Sequence, residues 1–113
     1  MEGKCHCGAV RFLVTEIPKK AIRCNCSYCI RRGWFTGYAS AAEFKLLSGE
    51  DGLSSYQYGA KTGTNYYCKS CGIHTHMYGT YGGESGYAYN IACLEDVELE
   101  SLEIEKINGK AFV

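Results

Sequence analysis

The sequence predicts a mainly all-β fold, and three observations lead to this prediction. Ten tyrosines and fourteen glycines stand among many short β-prone runs. No stretch keeps a helical period over three turns. The chain has 113 residues, the usual size of one domain, so we expect a single domain over residues 1–113. A domain of this size buries only a modest share of its surface when it folds. A bound metal that cross-links the chain would therefore add stability.

The first strands follow from alternation and from turn residues. "AVRFLVTE" alternates Val10, Phe12 and Val14 with polar neighbours, which is typical of a strand. The single proline, Pro18, marks the turn after it. "AIRCNC" and "RGWFTGYAS" are predicted to be extended, and "AAEF" to form one helical turn that Ser40 caps.

Short β-prone runs continue from residue 45 onward. Glycines separate the β-prone segments "KLLSG", "SSYQYG", "TNYYC", "IHTHMYG" and "GYAYNIAC". The tail "VELESLEIEKI" places Leu102 and Ile104 two apart, as in a strand, before a turn near "NGK". The glutamate and leucine content of this tail also suits a short helix.

Charge and hydropathy exclude several classes of protein. Lysine plus arginine number 12, aspartate plus glutamate also number 12, and no block of like charge stands out. A nucleic-acid-binding surface would require a basic stripe, so we expect no nucleic-acid partner. The apolar runs are far too short for a membrane span. The start "MEGKCHCG" lacks the pattern of an export signal, so we expect a cytoplasmic protein.

The eight cysteines indicate metal binding. Without an export signal, a dense set of cysteines favours a metal site over a disulfide framework. Residues i and i+2 of an extended chain share a face, so Cys5 with Cys7, and Cys24 with Cys26, can each offer two sulfurs to one ion. Disulfides within these pairs would be strained, whereas disulfides between clusters remain an alternative.

The cysteines divide into groups of two, three and two, with Cys93 alone. A structural zinc site takes four ligands, whereas a catalytic site keeps one position open. The two pairs together make one closed site, and Gly8 and Gly72 after them can adopt the positive φ that such hairpins need. We call this set the four-cysteine cluster, and its members are Cys5, Cys7, Cys68 and Cys71. The alternative is a pair of hairpins without metal.

The remaining group, the three-cysteine cluster, comprises Cys24, Cys26 and Cys29 and is one ligand short. Either it stays open for a substrate, or a fourth side chain closes it. The candidates for closure are Cys93, which also suits a small core residue, and three histidines: His6, His74 and His76. His74 and His76 are expected to share a strand face. Three thiolates on zinc would hold a substrate sulfur as a thiolate, which favours making and breaking carbon–sulfur bonds.

Four motifs resemble one known family. "GKCHCGAVRF", "RCNCSYCIRRG", "YYCKSCGIHTH" and "YNIACLE" are similar to the glutathione-dependent formaldehyde-activating enzyme family, which includes centromere protein V. The resemblance implies a zinc-binding β-tent fold of several small coiled antiparallel sheets. It also implies two zinc ions per chain, one structural on the four-cysteine cluster and one catalytic on the three-cysteine cluster. In the family's named activity, glutathione adds to formaldehyde to give S-hydroxymethylglutathione.

The chain departs from the family pattern in two places. Members with the named activity are longer, and many carry arginines after "CGIHTH", where this chain has "MYGTYGGESG". Arginine binds carboxylates in a bidentate manner, and glutathione has two. Arg31 and Arg32 are therefore the candidate substrate-binding residues, and a solvated turn is the alternative.

The sequence thus predicts a zinc-dependent carbon–sulfur lyase or synthase that acts on a small, glutathione-like thiol and a carbonyl such as formaldehyde. The alternative is a non-catalytic, zinc-stapled β domain that binds a protein partner, as the surplus of aromatic residues would allow. Thiol redox chemistry or metal buffering is a weaker option.

Overall fold

A computed structural model describes residues 1–57, 63–81 and 83–109, with the backbone only at Tyr81. Within these residues the chain forms ten strands and one α-helix, which confirms the mainly β prediction. The strands are β1 (Glu2–Lys4), β2 (Arg11–Val14), β3 (Lys20–Cys24), β4 (Thr36–Ser40), β5 (Phe44–Ser48), β6 (Leu53–Tyr56), β7 (Gly63–Cys68), β8 (His74–Tyr81), β9 (Glu84–Asn90) and β10 (Glu103–Ile107). The helix is α1 (Ser27–Arg32), and 3₁₀ turns cover Glu50–Gly52, Ile91–Cys93 and Leu99–Ser101.

Two sheets divide the strands. The smaller has the order β1-β2-β5 and is antiparallel throughout. The larger has the order β10-β3-β4-β9-β8-β7-β6, and its pairs are antiparallel except for β10 with β3. β3 pairs with β10 over five residues but with β4 only through Ile22 and Thr36. The end of β3 that carries Cys24 is therefore held mainly by β10.

An aromatic core joins the two sheets. Phe12 of β2 is fully buried and stacks on Phe44 of β5 with ring centroids 5.2 Å apart. Both rings also contact His76 of β8. Gly3 lies directly under the Phe12 ring, where a Cβ would collide with it. Burial of large rings is the main source of stability in a chain of this size.

Several local predictions need correction. The segment "RGWFTGYAS" was predicted to be extended from Arg32, yet Arg32 is the last residue of helix α1 and Gly33 ends it. The helix begins after Cys26, whose sulfur accepts a hydrogen bond from the Cys29 amide. "AAEF" is a turn and not a helix, and the Ser40 amide donates to the Glu43 carboxylate. Ile91–Cys93 is a 3₁₀ turn and not part of a strand.

Of the two forms predicted for the tail, a strand and a short helix, the structure shows the strand, β10. It pairs in parallel with β3, so that Ile104 lies opposite Ala21. The predicted segment "SSYQYG" extends into residues 58 and 59, and the "NGK" turn into residue 110, which lie outside the described residues. The β-tent arrangement stays a prediction. No helix among the described residues is long and apolar enough to cross a membrane.

Candidate metal centres

The four-cysteine cluster forms where the β1–β2 and β7–β8 connections meet. Its four sulfurs lie within 4.8 Å of one another, so they could hold one metal ion. Cys7 Sγ is 3.6 Å from both Cys5 Sγ and Cys68 Sγ. Gly8 and Gly72 have φ of 81° and 78°, which confirms the predicted positive φ after each pair.

Amide hydrogen bonds favour thiolates in this cluster. The Val10 amide donates to Cys5 Sγ over 3.4 Å. Burial raises the pKa of Cys71, but hydrogen bonds from the Cys7 and Ile73 amides and from neighbouring thiols outweigh it and lower that pKa to about 6. The Ala9 amide lowers the pKa of Cys7, but hydrogen bonds with Cys5 and Cys68 outweigh it and raise that pKa to about 11. All four thiols can therefore be ionised together only around a cation.

The three-cysteine cluster lies at the junction of β3 and α1. Cys24 ends β3, Cys26 caps the helix and Cys29 lies in its first turn, and their sulfurs lie within 4.8 Å of one another. In the metal-free protein, burial raises the pKa of Cys29 to about 12, although the Arg32 charge opposes this. The Cys29 thiol therefore needs a cation in order to ionise at neutral pH.

Among the described residues, no fourth histidine, cysteine, aspartate or glutamate joins this group. Cys93 lies in the main apolar core, where burial raises its pKa to about 12, and its sulfur lies 3.9 Å from the His74 carbonyl oxygen. His6 is exposed on the β1–β2 connection, and His76 is buried against Phe44.

A register shift separates the two histidines of β8. Between β7 and β8 the register shifts, so that Tyr66 pairs with His76 but Tyr67 pairs with His74. His76 stacks on Tyr66 and His74 on Tyr67, and adjacent residues of a strand point to opposite faces. The expectation that the histidines share a face is therefore wrong: only His74 points toward α1.

Arg31 and Arg32 have different surroundings, and the structure does not bring them to one site. Arg31 is exposed and donates to the Ser27 carbonyl, 2.7 Å away. Arg32 packs its guanidinium over the Trp34 ring, with Cζ 3.4 Å from the centroid. It also donates to Asn65 Oδ1 (2.8 Å) and approaches Cys29 Sγ (3.5 Å). Arg32 thus links Cys29 of α1 to Trp34 and to Asn65 of β7.

His74 and Tyr28 form a polar pair next to Arg32. Tyr28 Oη and His74 Nδ1 share a hydrogen bond of 3.1 Å. Burial, together with the Arg32 charge, lowers the pKa of His74, so the imidazole is mostly neutral near pH 7. Sequence reasoning listed His74 as a neighbour of the site but missed Tyr28, whose only signal was its position between two cysteines.

A cleft of about 530 Å³ opens beside Cys24. Apolar side chains and two cations line it, namely Arg23, Cys24, Asn25, Ile30, Phe35, Ile104, Lys106, Ile107 and Asn108. Strand β10 forms one wall, so the cleft depends on the parallel β10–β3 pair. Sequence reasoning missed Arg23 and Lys106, because nothing in the linear pattern pairs them.

The segment after β10 lies against Cys24. Asn25 is held to this segment by hydrogen bonds to the Ile107 carbonyl (3.3 Å, from its amide nitrogen) and to Asn108 Oδ1 (2.9 Å, from its side chain). Gly109 is buried, and a Cβ there would collide with Cys24 Sγ. The absence of a side chain at Gly109 is thus what lets this segment lie against Cys24.

Comparisons with known proteins show which family and which solved structure this chain resembles. The sequence model of the family described as "Glutathione-dependent formaldehyde-activating enzyme" matches residues 1–105. A protein of Halomonas elongata, provisionally named a glutathione-dependent formaldehyde-activating enzyme, is 35% identical over 80 residues, which cover 63% of this chain and 51% of that protein. The chain therefore spans about half the length of this curated relative. A crystal structure of a Rhodobacter sphaeroides protein superposes with a TM-score of 0.81 at 34% identity, covering 93% of this chain and 100% of the other.

Proposed function

This chain belongs to the glutathione-dependent formaldehyde-activating enzyme family, and we propose that it adds a small thiol to a carbonyl such as formaldehyde, as a single domain over residues 1–113. One observation carries the proposal: three clustered sulfurs, with no fourth protein ligand among the described residues, adjoin a cleft through Cys24. Catalytic zinc sites keep one position open in this way, whereas structural sites are closed by four protein ligands.

Both clusters suit zinc, and we propose two zinc ions per chain. Their donors are all sulfur, a set that selects soft or borderline metals. The four-cysteine cluster would hold the structural ion, and the three-cysteine cluster the catalytic ion. Held by Cys24, Cys26 and Cys29, the ion would lower the pKa of a substrate thiol and so supply a thiolate at neutral pH.

The reaction forms one carbon–sulfur bond. The thiolate sulfur attacks the carbonyl carbon, the π electrons of the carbonyl move to its oxygen, and that oxygen takes up a proton. The thiol has already released one proton, so the sum is a simple addition without an oxidant. The reverse reaction expels a thiolate, as in a carbon–sulfur lyase.

The protein contributes positioning and a place for the proton. Arg32, fixed by Trp34 and Asn65, holds a positive charge near Cys29 and so favours anionic sulfur in the cluster. We assign the proton to the hydrogen-bonded pair of Tyr28 Oη and His74 Nδ1, because Tyr28 lies on the helix that carries Cys29 and His74 begins β8 beside it.

The proposal is tested with carbon-13-labelled formaldehyde and glutathione. Zinc-loaded protein is added at increasing concentration, and exchange spectroscopy measures the rate at which the S-hydroxymethyl adduct forms. We expect the rate to rise in proportion to the protein, and Cys26→Ser to return it to the rate in buffer. Lys45→Gln, a change on the exposed face of β5, is the control and should keep the full rate.

The contradicting result is equally clear. If the wild-type chain binds both zinc ions and yet leaves the adduct rate at its value in buffer, the three-cysteine cluster is not an active site for this reaction. The chain would then be a non-catalytic, zinc-stapled β domain.

A further inference from the structure

Two cations lie opposite each other at the cleft beside Cys24. In the parallel β10–β3 register, Lys106 pairs with Arg23, and the next pair joins Ile107 with Cys24. Like charges directly opposite on one face of a sheet destabilise the strand pair. Among the described residues, none of the three ion pairs includes Arg23 or Lys106.

The same strand pair balances its charges elsewhere. Three residues before Arg23, Lys20 Nζ lies 3.2 Å from Glu105 Oε1. The arrangement at the cleft differs because both positions carry positive charge and no described carboxylate pairs with either. An anion from solution would compensate these two charges.

Arg23 is also held in place. Its Cζ lies 4.9 Å above the Phe35 ring, and Phe35 itself lines the cleft. Lys106 forms the facing edge, and Ile104 provides an apolar wall beside it. The cleft, at about 530 Å³, has the size of a site for a small peptide-like ligand.

We propose that this cleft binds the carboxylate end of the thiol substrate, with Arg23 and Lys106 as the specificity-determining residues. The substrate class is then a thiol that bears at least one carboxylate, whose sulfur reaches the cluster at Cys24. The assignment of the sulfur rests on the proposed function, whereas the assignment of the carboxylate rests on the paired cations. Arg23 can form two parallel hydrogen bonds to a carboxylate, and Lys106 adds a point charge.

The binding test uses S-methylglutathione, which keeps both carboxylates but has no thiol. Isothermal titration of zinc-loaded protein measures its affinity for wild type, Arg23→Gln, Lys106→Gln and the double variant. We expect each single change to weaken binding by about fivefold to tenfold, and the double change by more than about twentyfold. Lys45→Gln removes one positive charge far from the cleft and should stay within about twofold of wild type.

A second measurement does not depend on any variant folding well. Raising sodium chloride from about 50 to about 500 mM should weaken S-methylglutathione binding by wild type severalfold, because salt screens charge pairs. In steady-state assays of adduct formation, the double variant should raise KM for glutathione about tenfold and leave kcat unchanged. Its KM for cysteamine, a thiol without a carboxylate, should not change.

The outcomes separate the two proposals. The assignment of the cleft is overturned if wild type does not bind S-methylglutathione. It is also overturned if the affinity for S-methylglutathione does not depend on salt, or is the same in the double variant as in wild type. If the protein accelerates adduct formation with no dependence on Arg23 or Lys106, the proposed function stands and the cleft assignment fails. If binding depends on both residues and no acceleration occurs, the cleft assignment stands and the proposed function fails.

Discussion

At the residue scale, the Arg32 guanidinium connects three parts of the molecule. It stacks on Trp34, donates to Asn65 of β7 and approaches Cys29 of α1. Asn65 is almost fully buried, and its side-chain amide donates in turn to the Tyr56 carbonyl. Within the described residues, Arg32 Nε is the one buried side-chain nitrogen or oxygen without a partner. Burying this nitrogen without a hydrogen bond costs folding free energy, which the other contacts of the network offset.

Arg32→Met should destabilise the zinc-loaded protein by about 2–3 kcal/mol, because it leaves Asn65 Oδ1 buried without a donor and removes a cation–π contact. Urea unfolding followed by tryptophan fluorescence measures this. Arg31→Met is the matched control: Arg31 is exposed, so its replacement should cost no more than about 0.5 kcal/mol. Equal effects of the two variants would show that Arg32 has no special structural role.

His76 makes stability depend on pH. Burial lowers the pKa of this histidine from 6.5 to about 4, because its ring is enclosed by Phe12, Phe44 and Tyr66. The unfolded chain therefore binds a proton at higher pH than the folded chain does. This contribution to stability is complete above pH 6.5 and is lost as the pH falls toward 4.

As the pH falls from 6.5 to 5, protonation of His76 in the unfolded chain should lower the free energy of unfolding by about 1.4 kcal/mol per pH unit. Urea unfolding at several pH values gives this slope. His76→Phe keeps the stack on Tyr66 and cannot titrate. The free energy of unfolding of this variant should therefore depend less steeply on pH, by the contribution of about one proton. Parallel slopes for the two proteins would exclude His76 as the cause; other acid-sensitive groups, including the cysteine clusters, affect both proteins alike.

At the element scale, α1 is a helix of six residues whose beginning and end are both specified locally. The Cys26 sulfur caps its first turn, and Gly33, with φ of 72°, ends it. The helix brings Cys26 and Cys29 onto one turn, next to Cys24 at the end of β3. The same cysteine therefore caps the helix and contributes its sulfur to the three-cysteine cluster.

Cys26→Ser should therefore separate function from fold. Serine is a good helix cap, so α1 should persist and the midpoint of thermal unfolding should change by no more than about 4 °C. Elemental analysis should show that zinc falls from two ions per chain to one, with loss of adduct formation.

Cys68→Ser is the contrasting variant. Cys68 is fully buried in a small core with Cys5 and Val10, so losing it should remove the other zinc ion and destabilise the fold by about 3 kcal/mol or more. A Cys26→Ser protein that unfolds as readily as Cys68→Ser would indicate that both sites are structural staples.

At the scale of the whole molecule, the two ends of the chain build the three-cysteine site together. Cys24 comes from the first quarter of the sequence, and the segment that follows β10 packs over it. The parallel β10–β3 pair makes this possible, because it carries the C-terminal segment in the same direction as the strand that ends at Cys24. The site is thus complete only when the last described strand has joined the sheet.

Gly109→Ala should weaken metal binding at this site alone. The new Cβ would collide with Cys24 Sγ, which could turn away in the metal-free protein but not while it is a ligand. We expect zinc at the three-cysteine cluster to be lost to a chelator at least about tenfold more readily, with zinc at the other cluster unchanged. Competition with a chromophoric chelator resolves the two ions. Gly52→Ala, where a Cβ meets nothing within 4 Å, is the control.

The amino-acid sequence by itself determined which cysteines cluster, because two pairs supply the four ligands of a closed zinc site and the triplet supplies three. It also determined the mainly β fold, since alternating runs such as Arg11–Val14 bury every second side chain whatever their partners are.

Only the tertiary structure decided what surrounds the triplet. The register shift in β8 that sends His74 and His76 to opposite faces depends on long-range strand pairing. So does the parallel pairing that sets Lys106 beside Arg23. Such contacts are selected by the packing of the whole chain, and no local pattern records them.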